Sequence, residues 1–166
     1  MNGEIILKVE ESLNNIKNRG AFLTGGNKYE SNIMSISWAN IGYMWWKKIC
    51  VIAISDIRYT KEFIDKYNTF TLSIPFNNSK DKQIDFCGHN SGRHVDKIKE
   101  SNIKLVPGKT IETPVIDGCN MYYECKVILK QNVDISKTDM ELEVEDNEKE
   151  LTIYFGEIVG QYYIED

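Results

Sequence analysis

Asn32-Ile33-Met34-Ser35-Ile36-Ser37-Trp38 (NIMSISW) places Met34, Ile36 and Trp38 on one parity and Ser35 and Ser37 on the other. Side chains of an extended chain point to opposite faces in turn, so this alternation reads as a half-buried strand. Just upstream, Ala21-Phe22-Leu23-Thr24 reads as a second strand, stopped by Gly25-Gly26-Asn27. Before it, residues 4–18 carry Ile6, Val9, Leu13 and Ile16 at helical spacing, and Gly20 ends the pattern.

Downstream, ICVIAI at 49–54 is a continuous apolar run, expected to be a strand covered on both faces. TKEFIDK at 60–66 reads as a short helix. Thr60 is the expected N-cap, Glu62 suits the first turn, and Phe63 and Ile64 face inward. FTLSI at 70–74 is a strand halted by Pro75. Residues 77–101 are polar and Gly-containing, and are expected to form a long ordered loop with one helical turn near Asp96–Glu100. Two further long strands follow at 121–131 and 151–159. The acidic stretch 139–150 between them reads as a solvated hairpin tip or helix. With no repeat and no linker, residues 1–166 form one domain. Five or six strands without regular βαβ alternation point to a mainly β, mainly antiparallel barrel with short flanking helices.

Composition sets the outer limits. The 166 residues are 42% hydrophobic and 27% charged, the balance of a globular chain. A chain of this size buries roughly two-thirds of its unfolded surface and needs no disulfide to hold a core. The net charge of −5, without a long run of one sign, argues against nucleic-acid binding through a broad basic face. An anionic ligand must therefore be gripped by local donors. No stretch reaches the ~20 apolar residues of a membrane span, and the N-terminus has no signal-peptide pattern. Cys50, Cys87, Cys119 and Cys125 form no CxxC pair, and are read as free thiols in a reducing cytoplasm. His89 and His94 lack metal-ligand spacing and read as polar loop residues.

No GxGxxG, GxxxxGK[ST] or GxSxG motif occurs, so Rossmann, P-loop and serine-hydrolase chemistry have no support. Three clusters carry the candidate chemistry. In the first, Asn32, Ser35 and Ser37 offer hydrogen bonds beside Met34 and Trp38; the alternative is that both serines simply face water. In the second, Arg58-Tyr59-Thr60 precede a helix, whose N-terminus and the forked guanidinium together suit a phosphate. There the alternative is a capping Thr60 and a surface Arg58. In the third, Cys87-Gly88-His89-Asn90-Ser91-Gly92-Arg93-His94-Val95-Asp96-Lys97 gathers glycines that permit close backbone approach to a ligand with basic groups that answer negative charge. A solvated loop is its plain alternative.

In this order and spacing, NIMSISW, RYTKEFI (58–64), FTLSIP (70–75), CGHNSGRHVDK (87–97) and the closing FGEIVGQYYIED resemble the flavin reductase-like (flavoredoxin) family of FMN-binding split barrels. The resemblance implies a six-stranded antiparallel split barrel, bound FMN and a homodimer with flavins near the subunit interface. It implies FMN-binding roles for Asn32, Met34, Ser35, Ser37, Trp38, Arg58, Tyr59, Thr60, Ser73, Ser91, Gly92, Arg93 and Lys97. Arg58 and Thr60 would sit at the phosphate or ribityl end, and the 91–97 loop would close over the cofactor. Family members often carry Asn where this chain has Ser73. Trp45 and Trp46 would shield the flavin or the dimer interface, or serve ordinary packing. No general acid, base or metal is implied. Two functions share this flavin grip: NAD(P)H-dependent flavin reduction, and flavoredoxin-type electron carriage to redox-protein partners. A pyridoxamine-phosphate-oxidase-type split barrel is the third reading, disfavoured by the RYT and SGR–DK pieces.

Overall fold

The computed structural model describes residues 5–139 and 144–166. Its elements are α1 (Val9–Asn18), β1 (Ala21–Gly26), β2 (Ser31–Ile36), β3 (Ala39–Met44), β4 (Lys47–Ser55), α2 (Thr60–Tyr67), β5 (Thr69–Ile74), α3 (Asp81–His89), α4 (Lys97–Glu100), β6 (Leu105–Val106), β7 (Val115–Ile116), β8 (Met121–Asp134) and β9 (Glu150–Tyr163). One antiparallel sheet of seven strands runs β2-β1-β5-β8-β9-β4-β3, and β6 and β7 pair separately. The sheet curls until its two edge strands are joined by Ser37-Trp38 alone, and no ladder closes the gap. The fold is thus mainly β and split, as expected, but with seven strands rather than six.

The extra strand is β3, where Ile41 alone is buried, so the alternation is too faint to read. Its hairpin to β4 turns through Trp45 and Trp46 at φ 55° and 57°. Two consecutive positive φ values define the primed turn that matches strand twist, usually supplied by Asn-Gly. The sequence therefore carries no turn signal there.

The long β8–β9 hairpin is the spine. Register shifts at Glu124/Cys125 and Val127/Leu129 bend it, as β-bulges do. Inside the curl, Leu23, Ile52, Ile54, Phe70, Leu72, Tyr123 and Tyr154 form the main core. Phe22, Ile33 and Tyr122 look outward and are covered by Ile84 and Cys87 of α3 and by Ile103, Val115 and Ile116.

Three other local expectations are corrected. The first helix starts at Val9, because Lys8 takes a left-handed conformation, leaving Ile6 buried ahead of it. The 77–101 segment is largely helical, with α3 burying Ile84 and Cys87 against the sheet. The ICVIAI strand is buried on one face, while Val51 and Ala53 are half-buried on the other.

Glu124, fully buried, fastens the loop between β6 and β7. Oε1 accepts from the Lys109 N–H at 2.6 Å and the Tyr162 hydroxyl at 2.9 Å; Oε2 accepts from the Thr110 and Ile111 N–H groups at 2.6 and 3.0 Å. Removing a carboxylate that satisfies several buried donors forfeits charge-assisted bonds and strands their partners. Glu124→Ala is expected to lower stability by about 3 kcal/mol or more, read from the urea midpoint at constant slope.

Candidate functional site

A cavity of about 610 Å³ opens at the split, where β2, the start of α2, the end of α3 and the 91–97 loop converge. Every residue assigned to the site from sequence lines it except Ser73 and Gly92. Ser73 lies on the outward face of β5 between Phe22 and Tyr122, fully buried, and its Oγ accepts the Ile116 N–H at 3.0 Å. It anchors β7 and stands apart from the cavity. Gly92 faces a neighbouring groove of about 940 Å³ that shares Tyr59 and Arg93 as a wall.

Asn32 and Thr60 are locked together. The Asn32 amide donates to the Thr60 hydroxyl at 2.8 Å, and both residues are buried. This bond ties α2 to the edge strand. Thr60 is therefore not the helix cap: Tyr59 occupies that position, with helical backbone angles and no side-chain capping bond. Ser35 is half-buried and Ser37 exposed, and both line the cavity. Met34 packs against the main core.

The glycines of the third cluster bring the backbone close to β2, and Gly88 also lines the cavity. A Cβ on Gly88 would sit 2.6 Å from Ser35 Oγ, and one on Gly92 would sit 2.0 Å from Asn32 Oδ1. A side chain at Gly88 would require the Ser35 hydroxyl to turn away, and one at Gly92 would require Asn32 to move.

The basic residues are already engaged. Lys97 is 5% exposed and donates to the Ile33 carbonyl at 2.9 Å and the Cys87 carbonyl at 3.0 Å. Burial pushes its ammonium below the ordinary lysine value, and the nearby Cys87 acts in the opposite sense. Arg93 stacks over the Tyr59 ring at 4.6 Å and pairs with Glu62 at 2.5 Å. Arg58 meets Glu148 at 3.1 Å and Glu145 at 3.9 Å. Glu148 is buried, which corrects the expectation of a wholly solvated acidic stretch; residues 140–143 of that stretch lie outside the described residues. Glu145, Asn147, Glu148, Ile54, Ser55 and Ile57 also line the cavity, although no motif points to them. Ile54, Ser55 and Ile57 run from the end of β4 to the residue before Arg58, while Glu145, Asn147 and Glu148 come from the β8–β9 connection, remote in sequence from the three clusters.

His89 and His94 both reach the cavity wall, His89 as the last residue of α3 with Nδ1 2.9 Å from the Asp85 carbonyl oxygen. Burial pushes the Cys87 thiol up to about 11, with Lys97 pulling the other way, so it is a protonated packing group at neutral pH. All four cysteines are free and buried. Among the described residues no helix is long and apolar enough to cross a membrane.

An open antiparallel barrel with an arginine-, amide- and hydroxyl-lined cavity at its split edge defines a split-barrel protein. The sequence profile of the flavin reductase like domain matches residues 15–166. The chain belongs to that family. It is 28% identical over 110 residues to an uncharacterised protein of Pyrococcus abyssi, a match covering 66% of this chain and 61% of that relative. The fold is similar to that of flavoredoxin from Desulfovibrio vulgaris (Miyazaki F), with TM-score 0.69, 23% identity, and coverage of 88% of this chain and 69% of that one. It is also similar to an FMN-binding domain of a flavin reductases-like enzyme from Shewanella baltica, with TM-score 0.68, 14% identity, and coverage of 95% and 75%.

Proposed function

We propose that this protein binds FMN in the 610 Å³ cavity and uses it as an NAD(P)H-dependent flavin reductase. The observation that carries the reading is the convergence of three sequence clusters, 32–38, 58–60 and 91–97, on that one cavity. Its size is within the usual range for small-molecule sites, ~300–1,000 Å³.

The donor set suits the cofactor in two parts. Met34, Ile54, Ile57 and Trp38 offer apolar surface to a flat ring, and Ser35 and Asn32 offer polar contacts at its edge. At the other end, Arg58 and the N-terminus of α2 present a charge-assisted donor beside a partial positive charge. This local grip answers the difficulty of holding a phosphate in a chain of net charge −5. Bound FMN would supply hydride and one-electron chemistry; the side chains bind, orient and shield it. No residue here is assigned a general acid or base role.

Family membership and the flavoredoxin-like and FMN-domain-like folds support a flavin ligand. The flavoredoxin likeness also keeps open a carrier that exchanges electrons with redox proteins. A homodimer is part of the proposal. Val51, Ala53 and Phe155 are half-buried on the outer sheet face, Trp45 packs on Phe155 at 5.5 Å, and Leu129 opposite Phe155 is 44% exposed. Because Ala53 also lines the cavity, a second copy on this face would border the flavin.

The purified protein is expected to be yellow and to release FMN on denaturation. Without oxygen, stoichiometric NADH or NADPH should bleach it. Bleaching by a reduced protein donor but by neither nicotinamide would favour the carrier, and a colourless protein that takes up no FMN at micromolar concentration would overturn the reading.

Sedimentation at tens of micromolar should give twice the 19.2 kDa chain mass. A single-chain species only would remove the dimer.

Arg58→Ala should weaken FMN roughly tenfold to a hundredfold, as expected from losing a charge-assisted bond of ~1.5–3 kcal/mol. Riboflavin, which lacks the phosphate, should hardly change. Equal losses for both ligands in a two-ligand titration would move the phosphate away from Arg58.

A further inference from the structure

The guanidinium that the proposed reading assigns to the phosphate already faces an anion of the chain itself. Glu148 Oε1 lies 3.1 Å from Arg58 Nη2, and Glu145 Oε1 lies 3.9 Å from it. The two glutamates differ in setting. The Glu145 side chain is 62% exposed, the Glu148 side chain only 2%, with Arg58 between them at 37%. Glu148 Oε2 also accepts the Glu145 N–H at 2.9 Å, so the carboxylate is held in place from its own backbone. Glu145, Asn147, Glu148 and Arg58 line one cavity. The connection between β8 and β9 therefore delivers a buried carboxylate to the cation at the cavity wall.

One guanidinium balances one carboxylate. A phosphate monoester carries about −1.5 to −2 at neutral pH. Placing it on Arg58 while Glu148 stays ionised would set two anions against one cation in a partly desolvated site, where like charges repel strongly. One anion must give way.

We propose that Glu148 is an internal competitor for the anion end of the cavity. Its carboxylate holds Arg58 when no phosphate is present, and a phosphorylated ligand gains Arg58 only by displacing it. Glu148 thereby sets how far the cavity prefers a flavin phosphate over an unphosphorylated flavin. The displaced contact also lowers net affinity, which favours a flavin that exchanges over one held permanently. This inference rests on the reading of the cavity as an FMN site.

The test is calorimetric titration of wild type, Glu148→Gln and Glu145→Gln with FMN, riboflavin and inorganic phosphate. Glutamine keeps the size and the acceptor oxygen but removes the charge. Glu148→Gln should bind FMN roughly threefold to fivefold tighter, the scale of one partly exposed ion pair. Inorganic phosphate should also bind it more tightly, while riboflavin stays within about twofold of wild type. The exposed Glu145→Gln should shift FMN in the same direction by less, and serves if Glu148→Gln melts below the assay temperature. Unchanged or weaker FMN binding by a folded Glu148→Gln, in a wild type that does bind FMN, would overturn the competition and leave the cofactor reading standing. Wild type that binds neither flavin would overturn that reading and this inference with it. Equal gains for FMN and riboflavin would also overturn it, since an uncharged ligand end cannot report the removal of a competing anion.

Discussion

The Lys97 ammonium is the hinge pin of the molecule's working end. An edge strand exposes a row of backbone groups that must be satisfied or covered. At β2 the Ile33 carbonyl is satisfied by Lys97, whose amine also takes the Cys87 carbonyl near the end of α3. One buried cation thus fastens the edge strand, the third helix and the segment leading from it. Burial disfavours its charge, yet a buried ammonium with two carbonyl partners is far less costly than one with none. The Asn32–Thr60 bond does the equivalent work on the other side, fixing α2 to the same strand. The walls of the cavity are where they are because β2 is held at both of these points.

These ties explain why the candidate residues sort into two kinds. Lys97, Thr60, Asn32 and the two glycines 88 and 92 build the frame, through buried bonds and close backbone approach. Arg58, Ser35, Trp38 and Tyr59 are less buried and present their groups to the space that remains. Basic residues clustered in a sequence need not be equally available to an anion. Here Lys97 is spent on carbonyls and Arg93 on Glu62 and Tyr59, while Arg58 pairs, among the described residues, with Glu148 and Glu145 of the β8–β9 connection.

The same logic reconciles an acidic chain with a phosphate-bearing ligand. The net charge of −5 gives no long-range attraction, so on the proposed reading recognition would rest on short-range donors at one helix N-terminus. On the proposed reading, the acidic groups paired with that donor, Glu148 and Glu145, would tune it.

By itself the sequence determined the strands with strong alternation or continuous apolar runs, the helix at 60–66, the mainly antiparallel architecture and the three clusters that meet at the cavity. Each is a local property, set by the period of side-chain direction along the chain. It could not reveal β3, whose single buried residue leaves no pattern and whose tryptophan turn lacks glycine. Nor could it place Ser73, because the alternation of β5 permits either face, and only the packing of β7 over Phe22 and Tyr122 decides that its hydroxyl meets Ile116. Lys97 as a structural tie, Gly88 and Gly92 as contacts to β2, and Glu148 as the partner of Arg58 were settled by tertiary structure alone. Glu148 lies 90 residues beyond Arg58, and a pairing at that separation is fixed by the curl of the sheet, not by any spacing along the chain.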